Sequence, residues 1–159
     1  MLIEEDCESV RDSEYCYCLA DNVITGSCER CEKCYLEYPY EEAYKYIVDL
    51  ENHSIKKSFI VIPPGSVEAL YVPKNTRVNI IEISGVSVSL LVKEGDEVNI
   101  GDRVARILTS KGEVRSHRVN TEGLVLYVTD LFGGSSERIL ILIGDKNSLG
   151  RIRIESRGS

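Results

Sequence analysis

The sequence predicts a mainly β protein, a sandwich or barrel of short strands preceded by a small cysteine-rich α+β segment. Three observations carry this. Beyond residue 53, eight short apolar runs recur at regular spacing, and turn-forming residues separate them. In "GVSVSLLV", Val86, Val88, Leu90 and Val92 alternate with Ser87, Ser89 and Leu91, the period-two pattern of a strand with one buried face. All six cysteines lie within the first 34 residues, and none follows.

That shift in composition sets the expected boundary near residues 52–58, giving a Cys-rich segment over 1–53 and an all-β unit over 54–159. Charge divides at the same place. Residues 1–53 carry 14 acidic and 4 basic side chains, whereas residues 54–159 carry 12 acidic and 15 basic ones. A phosphate backbone would be repelled by the first part and only weakly attracted by the second, so nucleic acid is not the expected partner. No apolar run approaches the ~20 residues of a membrane span. The acidic start "MLIEEDCESV" lacks the basic and apolar regions of a signal peptide. A soluble, cytoplasmic protein is expected.

In the first segment "YCYCLADNVITGSC" reads as a short hairpin turning at "ADN". "LEYPYEEAYKYIVDLENH" reads as a helix near residues 40–52. Pro39 and the following Glu41 and Glu42 suit its first turn, and Tyr40, Ala43, Tyr44, Ile47 and Leu50 form one apolar face. In the second segment the runs are "SFIVI", "VEALYV", "RVNIIEI", "VSVSLLV", "RVARIL", "EVRSHRV", "LVLYV" and "RILILI". Gly133-Gly134 in "LFGGSSE" reads as a hairpin connection, and "RIRIESRGS" as one more edge strand followed by a tail. The stretch after Ser84-Gly85 and the stretch after Glu122-Gly123 share a plan of glycine, alternating strand, glycine turn and strand. A twofold repeat of this kind implies two interlocked half-sheets on one core.

The cysteines are the first candidate site. "YCYC" gives Cys16-x-Cys18, and "SCERCEKCY" gives Cys28-x2-Cys31-x2-Cys34. Sulfurs so closely spaced can close on one metal ion, and four of Cys16, Cys18, Cys28, Cys31 and Cys34 would satisfy tetrahedral zinc. Cys16, Cys18, Cys28 and Cys31 are the first choice, with Cys34 the main substitute. The triple spacing also matches part of an iron–sulfur ligand run, with Cys7, Cys16 or Cys18 as fourth ligand; zinc is preferred over the cluster. The alternatives are disulfides, which suit a cytosolic protein only in hyperthermophilic organisms, and free thiols.

The later half carries a further pattern. In "LLVKEGDEVNIGDRVARILTSKGEVRSHRVNTEGLVLYV", Leu90 to Val128, the residues run Gly95-Asp96, Val98, Gly101-Asp102, Val104 to Leu108, Lys111 and Gly123. This resembles the biotinyl/lipoyl attachment domain. The resemblance implies a barrel-sandwich hybrid, a flattened barrel of two sheets, with its lipoyl-like core about residues 84–144. It also implies that Lys111 occupies the position of the family's modified lysine, at a hairpin tip. The whole chain is similar to an archaeal family of unknown function that carries such a domain. Lys111 lacks the methionine neighbours of biotin carriers, and Ser110 and Gly112 stand where lipoyl carriers have Asp and Ala. The interval to Gly123 is one residue longer than in the family. Biotin or lipoate on Lys111 is therefore the lesser expectation.

No Ser/His/Asp order, P-loop or dinucleotide fingerprint is present. His53 and His117 are isolated and read as solvated or structural residues. The expectation is a non-catalytic binding or scaffold module whose partner is another protein. A carrier modified at Lys111 and an iron–sulfur redox protein are the alternatives.

Overall fold

A computed structural model describes residues 1–131 and 134–154; the Gly133 half of the expected Gly-Gly connection and the tail beyond Ile154 lie outside the described residues. The chain forms two compact units, one of residues 1–76 with 148–159 and one of residues 77–147. The boundary expected at 53/54 falls inside the first unit.

Strand pairing explains that difference. The first unit holds β1 (Leu2–Glu5), β2 (Cys16–Ala20), β3 (Val23–Thr25) and β4 (Cys34–Glu37), with the single helical turn α1 (Cys7–Val10) between β1 and β2. It continues with the turn α2 (Tyr44–Ile47), the two-residue strands β5 (Val48–Asp49) and β6 (Ser54–Ile55), then β7 (Phe59–Val61) and β8 (Glu68–Val72). The second unit contributes β9 (Val78–Gly85) to β15 (Glu137–Gly144), and the chain returns to the first unit as β16 (Gly150–Ile154). β1, β4, β2, β3, β16, β8 and β7 close into a barrel in that order. β1 pairs with β7, so strands from both sides of residue 53 share one set of backbone hydrogen bonds. A closed barrel leaves no edge to terminate, and it needs all seven strands.

β16 is therefore not the edge strand that "RIRIESRGS" suggested. It runs parallel to β3 and antiparallel to β8, with Ile152 buried between exposed Arg151 and Arg153. The barrel core is Leu2, Ile24, Tyr35, Ile60, Ala69 and Ile152. The expected hairpin is present: β2 pairs with β3 across Asp21-Asn22, both at positive φ (53° and 60°), as two-residue hairpin turns require.

The expected helix over 40–52 shrinks to a 3-10 turn at Tyr40–Glu42 and α2 at Tyr44–Ile47. Local side-chain bonding wins over helical periodicity here. Asp49 Oδ1 accepts the backbone N–H of Glu51 (3.0 Å) and Asn52 (3.1 Å), and Asp49 Oδ2 accepts Asn52 Nδ2 (2.8 Å). This turn reverses the chain, so that Val48 pairs with Ile55 and the Lys56 N–H reaches the Ile47 carbonyl at 2.7 Å. Ala43 and Ile47 are buried as the apolar face implied, while Leu50 is left exposed.

In the second unit β10 (Ser87–Leu90), β12 (Arg103–Leu108) and β13 (Val114–Arg118) form a three-stranded sheet. β11 (Glu97–Val98), β14 (Gly123–Asp130), β15 and β9 form a four-stranded sheet. Val88, Val104 and Ala105 of the first sheet and Ile83, Val125, Ile139, Ile141 and Ile143 of the second share one core. The first stretch of the repeat is divided between the sheets, with β10 in the smaller and β11 in the larger, where β11 pairs with β14 of the second stretch.

The two Gly-Asp corners are the same device used twice. Gly95 and Gly101 take φ of 90° and 92°, a region costly for any residue with a Cβ. Asp96 Oδ2 accepts the N–H of Lys93 at 2.9 Å, and Asp102 Oδ2 accepts that of Asn99 at 2.8 Å. Each corner then clasps one valine through two backbone bonds. Gly95 N–H reaches Val125 O while Val125 N–H reaches Asp96 O; Gly101 N–H reaches Val119 O while Val119 N–H reaches Asp102 O.

Two tyrosines give the first unit a pH limit. The Tyr38 hydroxyl donates to Glu5 at 2.7 Å. Burial first, and that bond second, push Tyr38 up to about 12. Burial pushes Tyr35 up as well. A phenol whose folded pKa lies above its unfolded value of ~10 contributes stability that is complete below pH ~10 and is lost as pH rises through the folded value. Denaturant midpoints should therefore be flat from pH 8 to 10 and fall between 10 and 12, and Tyr38→Phe should make that fall shallower. An identical fall in the variant would remove Tyr38 from the account.

Candidate functional site

Two places in the structure gather chemistry, one in each unit. In the first unit, α1, β2, β4 and the loop over residues 26–33 enclose a sulfur-rich core of Cys16, Cys18, Cys28, Cys31 and Cys34 with Val10. Arg11 donates to the Cys31 carbonyl at 3.0 Å and ties α1 to that loop. All six cysteines pair at disulfide distance: Cys7 with Cys34, Cys16 with Cys28 and Cys18 with Cys31.

The four-sulfur sites expected from spacing, whether built on Cys16, Cys18, Cys28 and Cys31 or with Cys34 as substitute, are not assembled. The strand geometry explains this. On an extended strand residues i and i+2 are about 6.6 Å apart and face the same side. Cys16 and Cys18 accordingly both point inward, but each meets a separate loop sulfur. Cys28, Cys31 and Cys34 likewise go to three different partners instead of to one cluster. What converges is a trio: the sulfurs of Cys16, Cys28 and Cys34 lie within 4.8 Å of one another, all buried. Cys7 sits outside the trio and is the one partly exposed cysteine.

Cys7 lines a cleft of about 420 Å³. Glu4, Glu5, Asp6 and Glu32 contribute carboxylates to it, and Lys56, Lys57 and Lys74 contribute ammonium groups. Lys57 pairs with Glu5 at 2.7 Å. Cys18 and Cys31 border a second cleft of about 490 Å³, though both are buried.

In the second unit the β12–β13 hairpin carries five cationic side chains and one carboxylate between residues 103 and 118. Lys111 lies in its turn and is exposed, with Gly112 following at φ 80°. His117 is half-buried on β13 opposite Ala105. His53 is exposed, at φ 50°, in the turn before β6.

Register sorts the hairpin's faces. Ala105 pairs with His117 and looks inward, whereas Arg106 pairs with Ser116 and with Ser89 of β10 and looks outward. A register shift between Arg103 and Ala105 lets Val104 and Ala105 both bury and returns Arg103 to the outer face, opposite Arg118. Arg103, Arg106 and Arg118 thus share the solvent face of the three-stranded sheet. Arg118 donates to the Gly101 carbonyl at 2.9 Å. Arg115 pairs with Glu113 at 3.0 Å, and the Asp102 carboxylate is committed to its own turn. Arg103 and Arg106 have no ion pair among the described residues. This face was missed in the sequence. Its signal, arginines at both ends of "RVAR" and at the end of "RSHR", becomes meaningful only once the register and the bulge are known.

Comparison with known proteins bears on the whole chain. Residues 5–146 match a family described as uncharacterized protein conserved in archaea (DUF2118). The chain belongs to this family. The match spans the sulfur core, the Gly-Asp corners and the hairpin, so these features are within the family's own extent. No curated protein matches the chain. No helix among the described residues is long and apolar enough to cross a membrane.

Proposed function

We propose that this archaeal family member is a non-catalytic binding module, and that the solvent face of β10, β12 and β13 is its docking surface for an acidic partner protein. The observation that carries this reading is the Arg103–Arg118 pair. Side chains directly opposite on antiparallel strands have Cβ atoms about 5 Å apart, and like charges there are destabilising. With Arg106 on the same face, the sheet holds three guanidinium groups whose repulsion a carboxylate-bearing partner would relieve. Guanidinium groups take carboxylates bidentately, which adds orientation to the attraction. β13 is also an edge of its sheet, open to a further strand.

The unit over 77–147 is read as a barrel-sandwich hybrid of the biotinyl/lipoyl kind. Its two facing sheets, its repeated Gly-Asp corners and the lysine-tipped hairpin support this. A second reading, a carrier modified at Lys111 with biotin or lipoate, is favoured by the exposure of that lysine in the β12–β13 turn. A zinc centre is supported in a reduced chain only. There the buried trio of Cys16, Cys28 and Cys34 would supply three of the four ligands that zinc takes, and an iron–sulfur cluster would likewise need a fourth.

One experiment separates the first two readings. The chain purified from its native cell is compared with an Arg103→Glu, Arg106→Glu variant by co-purification and by intact mass. The binding reading expects an unmodified mass and a protein partner that is lost in the variant and released by salt. Arg103→Glu should also raise stability slightly, by up to about 1 kcal/mol, because it replaces a like-charge cross-strand pair by an opposite one. An adduct on Lys111 would decide for the carrier. Undiminished partner recovery in the variant would refute the docking face.

A further inference from the structure

The sulfur core supports an inference independent of the docking face. Its three disulfides differ in what can reach them. Cys16 and Cys34 are 1% and 0% exposed, and Cys28 is also buried, whereas Cys7 is partly exposed and lines the mixed-charge cleft. A thiol in solvent therefore meets the Cys7–Cys34 bond at its Cys7 end. Cys34 is the pivot, being bonded to Cys7 and also a member of the buried trio with Cys16 and Cys28. The Cys34 sulfur lies within 4.8 Å of both sulfurs of the Cys16–Cys28 bond.

We propose that Cys7, Cys34 and the Cys16–Cys28 bond form a thiol–disulfide relay, in which a small thiol entering at Cys7 displaces Cys34 and Cys34 passes the exchange inward. Exchange proceeds by attack of a thiolate on one sulfur of a disulfide, releasing the other as thiolate. In the first step the incoming thiolate attacks Cys7 Sγ. A bond forms between the small thiol and Cys7, the Cys7–Cys34 bond breaks, and Cys34 leaves as thiolate. In the second step Cys34 attacks Cys16 or Cys28. The Cys16–Cys28 bond breaks, a Cys34–Cys16 or Cys34–Cys28 bond forms, and the remaining sulfur leaves as thiolate. Each step consumes one thiolate and one disulfide and yields one of each, so no external oxidant is needed and no electrons are left over. The outcome frees α1 from β4 and re-staples the sheet, converting a small-molecule thiol signal into a change of connectivity.

The chemistry of the cleft suits a thiol that carries both an ammonium and a carboxylate, since its lining offers groups of both signs. Cys18–Cys31 stays outside the relay. It borders the other cleft, both of its sulfurs are buried, and neither belongs to the trio.

The test treats the full oxidised chain with limiting L-cysteine, quenches with acid at intervals, alkylates free thiols and maps disulfides under non-reducing conditions. The relay predicts that cysteine is found first on Cys7. The alkylated thiol should then move from Cys34 to Cys16 or Cys28 as a non-native Cys34 pair accumulates, with Cys18–Cys31 intact. Cys7→Ser should abolish the adduct and, because its Cys34 is already free, populate the non-native pair without added thiol. If that variant does not fold, the Cys7→Ser, Cys34→Ser double variant replaces it, and there the native Cys16–Cys28 bond should survive L-cysteine. First attack at Cys18–Cys31, a Cys34 thiol that accumulates beside an unchanged Cys16–Cys28 bond, or exchange in the double variant would each overturn the relay.

Discussion

Gly123→Ala is expected to destabilise the unit over residues 77–147 by about 3–5 kcal/mol. Two costs combine. Gly123 holds φ at 155°, a region that side chains rarely adopt, and such strain costs ~1–3 kcal/mol. A Cβ there would also run into the carbonyl oxygen of Gly144, with Ile143 Cγ2 only 3.1 Å away. These atoms are backbone and core of β15, which pairs with β14 along its length and cannot step aside; overpacking of this kind costs a further ~1–3 kcal/mol. Gly101→Ala is the matched control. Its φ is 92°, but nothing lies within 4 Å of the added Cβ, so only the conformational cost applies. Chemical denaturation of both variants, read by hydrogen exchange in β12 to β15, should rank Gly123→Ala well below Gly101→Ala. Equal losses would mean that close approach of β14 to β15 does not limit this position.

Full reduction should be the largest perturbation of the other unit. The three disulfides close loops with sequence separations of 27, 12 and 13 residues. Loops of that size are each worth about 3 kcal/mol, and because the three overlap the total is less than their sum, on the order of 5 kcal/mol or more. Few other contacts compensate around α1, the loop over 26–33 and β2, since cysteine supplies most of the apolar side chains in that core. Hydrogen exchange on the reduced and alkylated chain should show lost protection over residues 1–37 and native protection over residues 78–144, where no cysteine occurs. Retained protection of β2 and β4 after reduction would show that the sulfurs are ornaments on a self-sufficient barrel.

How much of this was legible in the sequence depended on whether the information was local. Short apolar runs between turn residues located β7 to β10 and β12 to β15, because a strand's own side chains and its flanking turns are local. The finer alternation in "GVSVSLLV" held at Val88, which is buried, while Val86 and Leu90 are exposed. β7, β14 and β15 are buried almost throughout instead of on one face. Asp21-Asn22 and the Gly-Asp corners were legible for the same reason: turn residues act within three or four positions. The barrel was not legible, since β16 closes it from the far end of the chain, and nothing in "RIRIE" says which strands will flank it. The helix over 40–52 failed because Tyr40, Ala43, Tyr44 and Ile47 keep helical spacing while Asp49 captures the next turn's N–H groups. The cysteine spacing correctly marked a sulfur-dense core. Which sulfur meets which depended on the inward face of β2, a tertiary fact. Lys111 could be assigned to a turn from its neighbours, whereas the arginine face required the β12–β13 register and its bulge.

The binding surface is tested most directly by photo-crosslinking in the native cell. A benzophenone amino acid replaces Ser116, which sits among Arg103, Arg106 and Arg118 on the outer face, and in a separate chain replaces exposed Ser66 in the loop before β8. The account predicts that position 116 crosslinks one protein through an acidic segment and that Arg103→Glu with Arg106→Glu abolishes the product, while position 66 does not capture it. Capture of the same protein at both positions, or at 116 irrespective of the arginines, would contradict it.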